Sequence, residues 1–439
     1  MIIDSTKAYC NVCNDNHHAV IRRDGNRIYA ETDCPRGKSV IQLSSDAEMF
    51  IGIRDRIAVS VPGGRSNISH TFANLIDITD ECNFECPICV IGSGKRDNPR
   101  YLSIEEICKR VGLLKTAGGR AITLMGGEPT LHPELLKIVR MIKKQGIKVL
   151  MATNGMLLGT DRNMARNLKK AGLSKAMLQF DTFDKKVHLK LRGNEAVDIK
   201  IAAARNMADA KLGIGLIVTV TSLNIEEIGK IIEFGISLHP AVTSIIAQGA
   251  SPEGRYLLPK DTLVDREQII KSILDSGALK GANVGDIWPL PYFEPWGLYL
   301  HPDCAVNLVM MADRKKAVPI GHFFDTVKLY GLLAQNRMKS TWFSRNLVPL
   351  YYLLRSVRVE GLCALLGSLS GVFPGISKKR AIIIGIGSYA SASFRDQKKI
   401  SRCATSQVTS AGLVSPCMYD SCDERCAGSR KYNESAGIL

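Results

Sequence analysis

AITLMGGEPTLHPELLKIVRMIKKQGIKVLMATNG, residues 121–155, decides the fold. AITLM (121–125) is a short apolar run that ends in a turn and reads as a strand. PELLKIVRMIKKQG (133–146) spaces its apolar residues helically, with Pro133 in the first turn and Gly146 at the end. IKVLMAT (147–153) is a second strand. The same unit repeats on both sides. NLIDIT (74–79) precedes SIEEICKRVGLLKTAG (103–118), where Ser103 and Glu106 form a capping box. Downstream come DRNMARNLKKAG (161–172), AMLQFD (176–181), AVDIKIAAARNMADA (196–210), GIGLIVTV (213–220), IEEIGKIIEFGI (225–236) and AVTSIIA (241–247). Six β–α units in a row predict parallel strands with right-handed crossovers. Two architectures remain, an open doubly wound sheet and an open or complete barrel. In a barrel, chemistry sits at the C-terminal ends of the strands.

The polar motifs fall at those ends. DECNFECPICVIG (80–92) follows the first strand and spaces Cys82, Cys86 and Cys89 as C-x3-C-x2-C. Three thiols are one short of a closed zinc site, which takes four ligands. Gly126, Gly127 and Glu128 follow the second strand, Thr153 and Asn154 the third, and Gln179 and Asp181 end the fourth. GGEP and TNG are each good turn sequences in isolation. Together, beside a three-cysteine loop, they predict one functional mouth.

The 439 residues are 45% hydrophobic and 23% charged, which suits a folded chain with one large domain and appendages. The net charge of +16 favours an anionic membrane, nucleic acid or acidic substrate as partner. MIIDSTKAYCN lacks the basic and apolar regions of a secretory signal, so a reducing cytoplasmic setting is expected. Cysteine clusters then read as metal sites more readily than as disulfides.

The chain divides into residues 1–70, 71–258 and 259–439. The first part carries Cys10 and Cys13 as C-x2-C, a predicted hairpin at Asp24-Gly25, and a returning Cys34. This is the layout of a zinc ribbon or rubredoxin-like knuckle, with His17 and His18 as candidates for a fourth ligand. The alternative is unligated thiols. In the last part, residues 337–402 hold 12 Lys or Arg against two acids, a local excess of +10. LVPLYYLL (347–354), LCALLGSLSGVF (362–373) and AIIIGIG (381–387) are interleaved with these charges. Such a stretch suits peripheral contact with an anionic membrane or an amphiphile, and equally a core helix pair with a basic rim. Cys403, Cys417, Cys422 and Cys426 supply four thiols, enough for an auxiliary iron–sulfur cluster, with Cys304 as a further candidate. Cys108 and Cys363 read as core residues, His132 as structural and His188 as exposed.

CNFECPIC (82–89), LMGGEPTLHP (124–133) and ATNG (152–155) together resemble the radical S-adenosylmethionine (SAM) enzymes. The resemblance covers roughly residues 72–250. It implies a partial (β/α)6 TIM-like radical SAM barrel, here with a small N-terminal metal-knuckle-like module and a basic C-terminal extension. It also implies a [4Fe–4S] cluster held by Cys82, Cys86 and Cys89, whose open iron takes the amino and carboxylate groups of SAM. One electron, from reduced ferredoxin or flavodoxin, then cleaves SAM to a 5′-deoxyadenosyl radical that attacks an unactivated C–H. Phe84 and Ile88 are expected near the cluster and adenine, Gly126 and Gly127 where backbone approaches SAM, Glu128 at its ammonium group, and Thr153 and Asn154 at the ribose. Gln179 and Asp181 complete the expected cofactor-binding set.

LQFDTFDKKVHLKLRG (178–193), TVTSLNIEEIG (219–229), EGRY (253–256), HPDC (301–304) and SRCATSQVTSAGLVSPCMY (401–419) resemble the subgroup of tetraether lipid synthase and the class D radical methylases. That resemblance implies C–C bond formation or methyl(ene) transfer on a lipid or amphiphile, with a Zn or Fe ion and an auxiliary cluster besides. The chain departs from the subgroup in SVPGGRSNISHTFAN (60–74), which holds no cysteine where the subgroup has a cluster. Radical maturation of a peptide or protein is the alternative enzyme class. A non-catalytic cluster-bearing electron carrier is a third, against which the intact GGEP and TNG count. No nucleic-acid partner is expected.

Overall fold

A computed structural model describes residues 1–10, 13, 15–60, 73–288, 303–312, 314–329, 355–356, 381–388, 394–396, 398, 405–410 and 412–414. The chain opens with an antiparallel meander of β1 (Ile2–Cys10), β2 (Asp15–Asp24), β3 (Arg27–Cys34) and β4 (Gly37–Ser44), followed by α1 (Ala47–Ser60). The expected hairpin is present, with its turn at Gly25-Asn26 and Asp24 paired to Arg27. Ala8, Ala19, Ile21, Ile28, Ala30 and Phe50 form a separate small core beneath this sheet.

The large sheet begins with β5 (Ala73–Thr79), α2 (Ile104–Thr116), β6 (Ala121–Gly126), α3 (Leu135–Lys144) and β7 (Lys148–Thr153). It continues through α4 (Met156–Thr160), α5 (Arg162–Ala171), β8 (Lys175–Gln179), α6 (Lys185–Arg192), α7 (Val197–Asp209) and β9 (Gly213–Val220). α8 (Ile228–Ser237), β10 (Val242–Gly249) and α9 (Arg266–Asp275) follow. Strands β5 to β10 lie side by side in chain order, each parallel to the next. A doubly wound sheet must reverse its strand order at a switch point. This sheet does not, so the winding is single, as in a barrel.

The barrel stays open because both edge strands take other partners. β14 (Ala381–Ser388) adds parallel to β10, and β12 (Ala305–Ala312) adds antiparallel to β14. β11 (Ile287–Trp288) and β13 (Ala317–Pro319) pair with β12. At the other edge β16 (Thr405–Thr409) adds parallel to β5, with β17 (Gly412–Val414) on β16. β15 (Arg395–Asp396) pairs instead with β1 of the small sheet. The last part of the chain therefore contributes strands to both sheets.

Alternating apolar residues face the helices and barrel core: Ile76 and Ile78, Ile122 and Leu124, Val149 and Met151, Leu216 and Val218 are all fully buried. Each such side chain is worth about 1.5–3 kcal/mol relative to exposure. AIIIGIG follows the same rule. Ile382, Ile384 and Ile386 are buried in β14, so this run is a core strand and not part of a membrane-facing stretch. Its basic flank is also partly consumed by the fold, since Lys398 Nζ donates to Asp4 Oδ1 and Ser5 O at 2.8 and 2.7 Å. Residues 347–354 and 362–373, with Cys363, lie outside the described residues.

Two assignments need correction. Cys108 is exposed, because α2 buries Ile107, Arg110, Val111 and Leu114, and Cys108 falls off that stripe. His188 is buried, because residues 185–192, which have a weak apolar pattern, form α6 behind the N-cap Asp184. Among the described residues no helix is long and apolar enough to cross a membrane.

Candidate active site

The three-cysteine loop leaves β5 at Thr79 and is tied down by backbone hydrogen bonds. Cys82 N donates to Gly94 O at 3.0 Å, and Phe84 N donates to the Cys82 thiol at 3.4 Å. The segment after β10 holds the loop from the other side. Arg255 N donates to Cys89 O at 2.8 Å and Leu257 N to Pro87 O at 2.9 Å. The Arg255 guanidinium donates to Ser93 O at 2.7 Å and Gly92 O at 3.0 Å. Cys82 is buried, and Cys86 and Cys89 are half-buried. At least one pair of these thiols is more than 4.8 Å apart. A single tetrahedral ion draws thiolates to within about 3.8 Å of one another. Three thiols spread on a rigid loop fit a larger iron–sulfur cube better than one ion.

Gly126 and Gly127 fasten this loop. A Cβ on Gly126, whose φ is +126°, would lie 2.0 Å from Thr79 O, and one on Gly127 would lie 1.9 Å from Glu81 O. The close approach that these glycines permit in the chain is thus to the start of the cysteine loop. Gly127 N donates to Thr79 O at 2.9 Å and Glu128 N to Glu81 O at 2.7 Å. The Glu128 carboxylate is 1% exposed and joins two strand ends. Oε1 accepts from Thr130 N, Thr130 Oγ1 and Thr153 Oγ1 at 3.1, 2.7 and 2.8 Å, and Oε2 accepts from Asn154 N at 2.7 Å. Burial pushes its pKa up, opposed by these donors. Asn154 in turn donates to Asn83 Oδ1 at 2.7 Å, which ties the end of β7 to the cysteine loop. Glu128→Gln puts an NH2 group among groups that all donate. It should lower the unfolding free energy by about 1–3 kcal/mol. Denaturant unfolding with no change in midpoint would show that this hub carries no stability.

Beneath the loop lies a charged cluster that motif reading only half found. Asp181, fully buried, accepts from Arg192 Nε and Nη2 at 2.7 and 3.2 Å and from Thr219 N at 2.8 Å. Gln179 donates to Asp181 and accepts from Lys200, whose Nζ also donates to Gln179 O at 3.0 Å. Lys200 Nζ lies 5.3 Å from the centre of the Phe84 ring. Arg192 also reaches the Cys86 thiol.

Burial pushes the Cys82 thiol up to about 12 and raises Cys86 as well, but Arg192 and Lys200 pull Cys86 the other way. Burial pushes Lys200 down to about 8. Metal ligands must be thiolates, so two cations beside Cys86 lower the cost of holding them. Lys200 had a signal in the sequence. It interrupts the buried stripe Val197, Ala203, Ala204 and Met207 of α7, where only a paired lysine is tolerated. Arg192 and Arg255 had none beyond their resemblance motifs. His188 Nδ1 lies 2.6 Å from Asn194 O, and its ring meets Phe84 edge-on at 6.4 Å. His132 Nε2 lies 2.9 Å from Leu102 O, the structural role expected of it.

The other candidates lie apart. Cys10, Cys13 and Cys34 gather at one end of the small sheet, their sulfurs within 4.8 Å of one another. Cys304 precedes β12 and joins no group of three or more metal-ligating side chains among the described residues. Cys403, Cys417, Cys422 and Cys426 lie outside the described residues.

Residues 76–235, from β5 into α8, match the Radical SAM superfamily. The chain is 26% identical over 368 residues to the 7,8-dihydro-6-hydroxymethylpterin dimethyltransferase of Methanocaldococcus jannaschii, spanning 73% of this chain and 70% of that protein. It is 36% identical over 165 residues to a probable GTP 3′,8-cyclase of Sulfurisphaera tokodaii, and there spans 37% of this chain and 51% of the cyclase. Among solved structures, Streptococcus suis SuiB bound to S-adenosylmethionine aligns at 14% identity and a TM-score of 0.41, covering 59% of this chain and 69% of SuiB. Methylornithine synthase (PylB) aligns at 16% identity and a TM-score of 0.39, covering 52% of this chain and 68% of that chain.

Proposed function

We propose that this iron–sulfur enzyme, whose residues 76–235 match the Radical SAM superfamily, functionalises an unactivated carbon by methyl(ene) transfer or C–C bond formation on a lipid or other amphiphile. The observation that carries the first half is the cysteine loop braced at the strand ends over Asp181, Arg192 and Lys200. The likeness to a dimethyltransferase over most of both chains favours group transfer over peptide maturation. The lipid substrate rests on the basic, apolar C-terminal sequence and on the resemblance to the lipid-synthase subgroup.

Cys82, Cys86 and Cys89 would hold the cluster. When bound, cluster and SAM supply the one-electron chemistry that opens a C–H bond. The protein's task is to bind, orient and exclude water. Arg192 and Lys200 offset the negative charge of the thiolates, and Asp181 fixes Arg192 in place. Glu128 Oε2 accepts a single hydrogen bond and has capacity for one more donor, which suits an ammonium group. Thr153 and Asn154 at the end of β7 and Gln179 at the end of β8 are proposed to face the same ligand. The electron comes from a reductant, proposed to be ferredoxin or flavodoxin. Anaerobic reconstitution, with iron and sulfide counted per chain and SAM cleavage followed by chromatography, tests the core of this reading.

The substrate half has its own test. Each basic residue near an anionic surface contributes about 1 kcal/mol, screened within a Debye length of about 8 Å at physiological salt. Replacing Lys378, Lys379 and Arg380 with Gln should weaken co-sedimentation with anionic vesicles and leave SAM cleavage without substrate unaltered. Added salt should release the wild type. Wild-type protein that ignores anionic vesicles at low salt would remove the membrane and turn attention to a soluble substrate.

A further inference from the structure

We propose that Cys10, Cys13, Cys34 and His17 form a closed site for one structural Zn2+ that staples one end of the N-terminal sheet. Cys10 ends β1, Cys13 lies in the turn that follows, His17 sits near the start of β2, and Cys34 ends β3. The register places Cys10 opposite Asp15 and His17 opposite Ala8, while Cys34 pairs with Gly37 across the next turn. Strand pairing therefore brings four ligands, one from each of three adjacent strands and one from the turn between the first two, to one sheet end. The three sulfurs lie within 4.8 Å of one another. Cys13 Sγ is 3.5 Å from Cys34 Sγ and 2.8 Å from His17 Nε2.

A tetrahedral zinc, with Zn–S near 2.3 Å and Zn–N near 2.0 Å, sets ligand atoms about 3.4–3.8 Å apart. The Cys13–Cys34 and Cys13–His17 distances reach that geometry by shifts of under about 1 Å, and His17, which meets the group through Cys13, has to swing toward Cys10 and Cys34 to close it. The thiols are only half-buried, so apolar packing does not account for their convergence. Strand alternation also chooses between the two histidines. His18 points to the opposite face, where it meets Asp33 at 3.9 Å and its side chain is 64% exposed.

Three thiolates and one imidazole fill four positions, which makes the site structural, with no open position for a reactant. Mixed sulfur and nitrogen donors suit the borderline-soft Zn2+. The site also bears on the rest of the chain. β15 pairs with β1 at Ala8 and Tyr9, the two residues before Cys10. A metal at Cys10 thus steadies the edge strand that receives the C-terminal part of the chain.

The test counts metal in the full chain, purified anaerobically under reductant, and in a Cys82→Ala/Cys86→Ala/Cys89→Ala variant that removes barrel iron from the count. One zinc per chain is expected in both. Cys13→Ala and His17→Ala should lose it to a chelator that the wild type withstands, and His17→Cys should keep it. If the alanine variants fail to fold, Co2+ loading of the wild type reads the same site through tetrahedral d–d and thiolate charge-transfer bands, which should change in His17→Cys. Absence of zinc, iron in its place, a Cys13–Cys34 disulfide found by thiol counting, or cobalt spectra identical in wild type and His17→Cys would each overturn the proposal. None of these readouts depends on SAM cleavage, so the zinc site and the radical reaction stand or fall separately.

Discussion

Cys86→Ala is expected to reduce formation of 5′-deoxyadenosine from SAM to background. Two remaining thiolates cannot hold a cube with one iron free for a ligand. Cys86 is also the thiol beside Arg192 and Lys200, so its loss removes the ligand whose negative charge those two cations offset. Iron per chain should fall in the same variant. Cys108→Ala is the control. Cys108 is exposed on α2, where Gln145 Nε2 donates to it at 3.4 Å, and its removal should leave both readouts unchanged. Normal SAM cleavage by Cys86→Ala, followed by chromatography under anaerobic conditions, would refute the assignment of the loop.

Arg192→Met should be the most destabilising single substitution near the mouth, by about 3–5 kcal/mol, because it strands a buried carboxylate without its cation. Asp181 is fully buried, and burial alone would raise it. Arg192 beside it outweighs burial and holds it below the usual carboxylate range. A depressed folded value means that the stabilisation is present above the unfolded value near 4 and is lost as pH falls through the depressed value. In Arg192→Met the same carboxyl should move up, so the variant's deficit should be largest near neutral pH and shrink on acidification. Asp181→Asn in the same background should recover part of the loss. Urea unfolding across that pH range reads all three expectations. A deficit that does not change with pH would mean that packing, not charge, makes Arg192 necessary.

Much of the core was legible because it rests on local rules. A buried parallel strand needs a continuous apolar run, and a helix announces itself by spacing and caps. Ser103 and Glu106 form the capping box their spacing predicts, and Asp161 and Gly172 close α5 at both ends. The residues of the mouth were equally visible, because loops at strand ends carry glycine and polar residues in short motifs. What those residues touch was not. Gly126 and Gly127 read as room for a ligand, and within the chain their missing side chains also make room for the carbonyls of Thr79 and Glu81. That contact joins residues nearly 50 apart in the chain, and no local pattern records it.

The sequence by itself determined the β–α repeat, the three-cysteine loop after the first strand of that repeat, and the cysteine pair with its returning partner in the N-terminal part. Each depends on the period of apolar residues or on spacing within one loop, which the chain states directly. Tertiary structure alone decided the single winding, the open edges filled by β14 and β16, and the burial of Lys200 against Gln179 and of Arg192 against Asp181. It also set His17, and not His18, beside the Cys13 thiol. These outcomes follow from which strand pairs with which, and strand pairing is a long-range choice driven by burial of whole faces. AIIIGIG shows the difference plainly. Its composition suits a membrane surface or a core equally well, and only the presence of β10 on one side and β12 on the other makes it a strand.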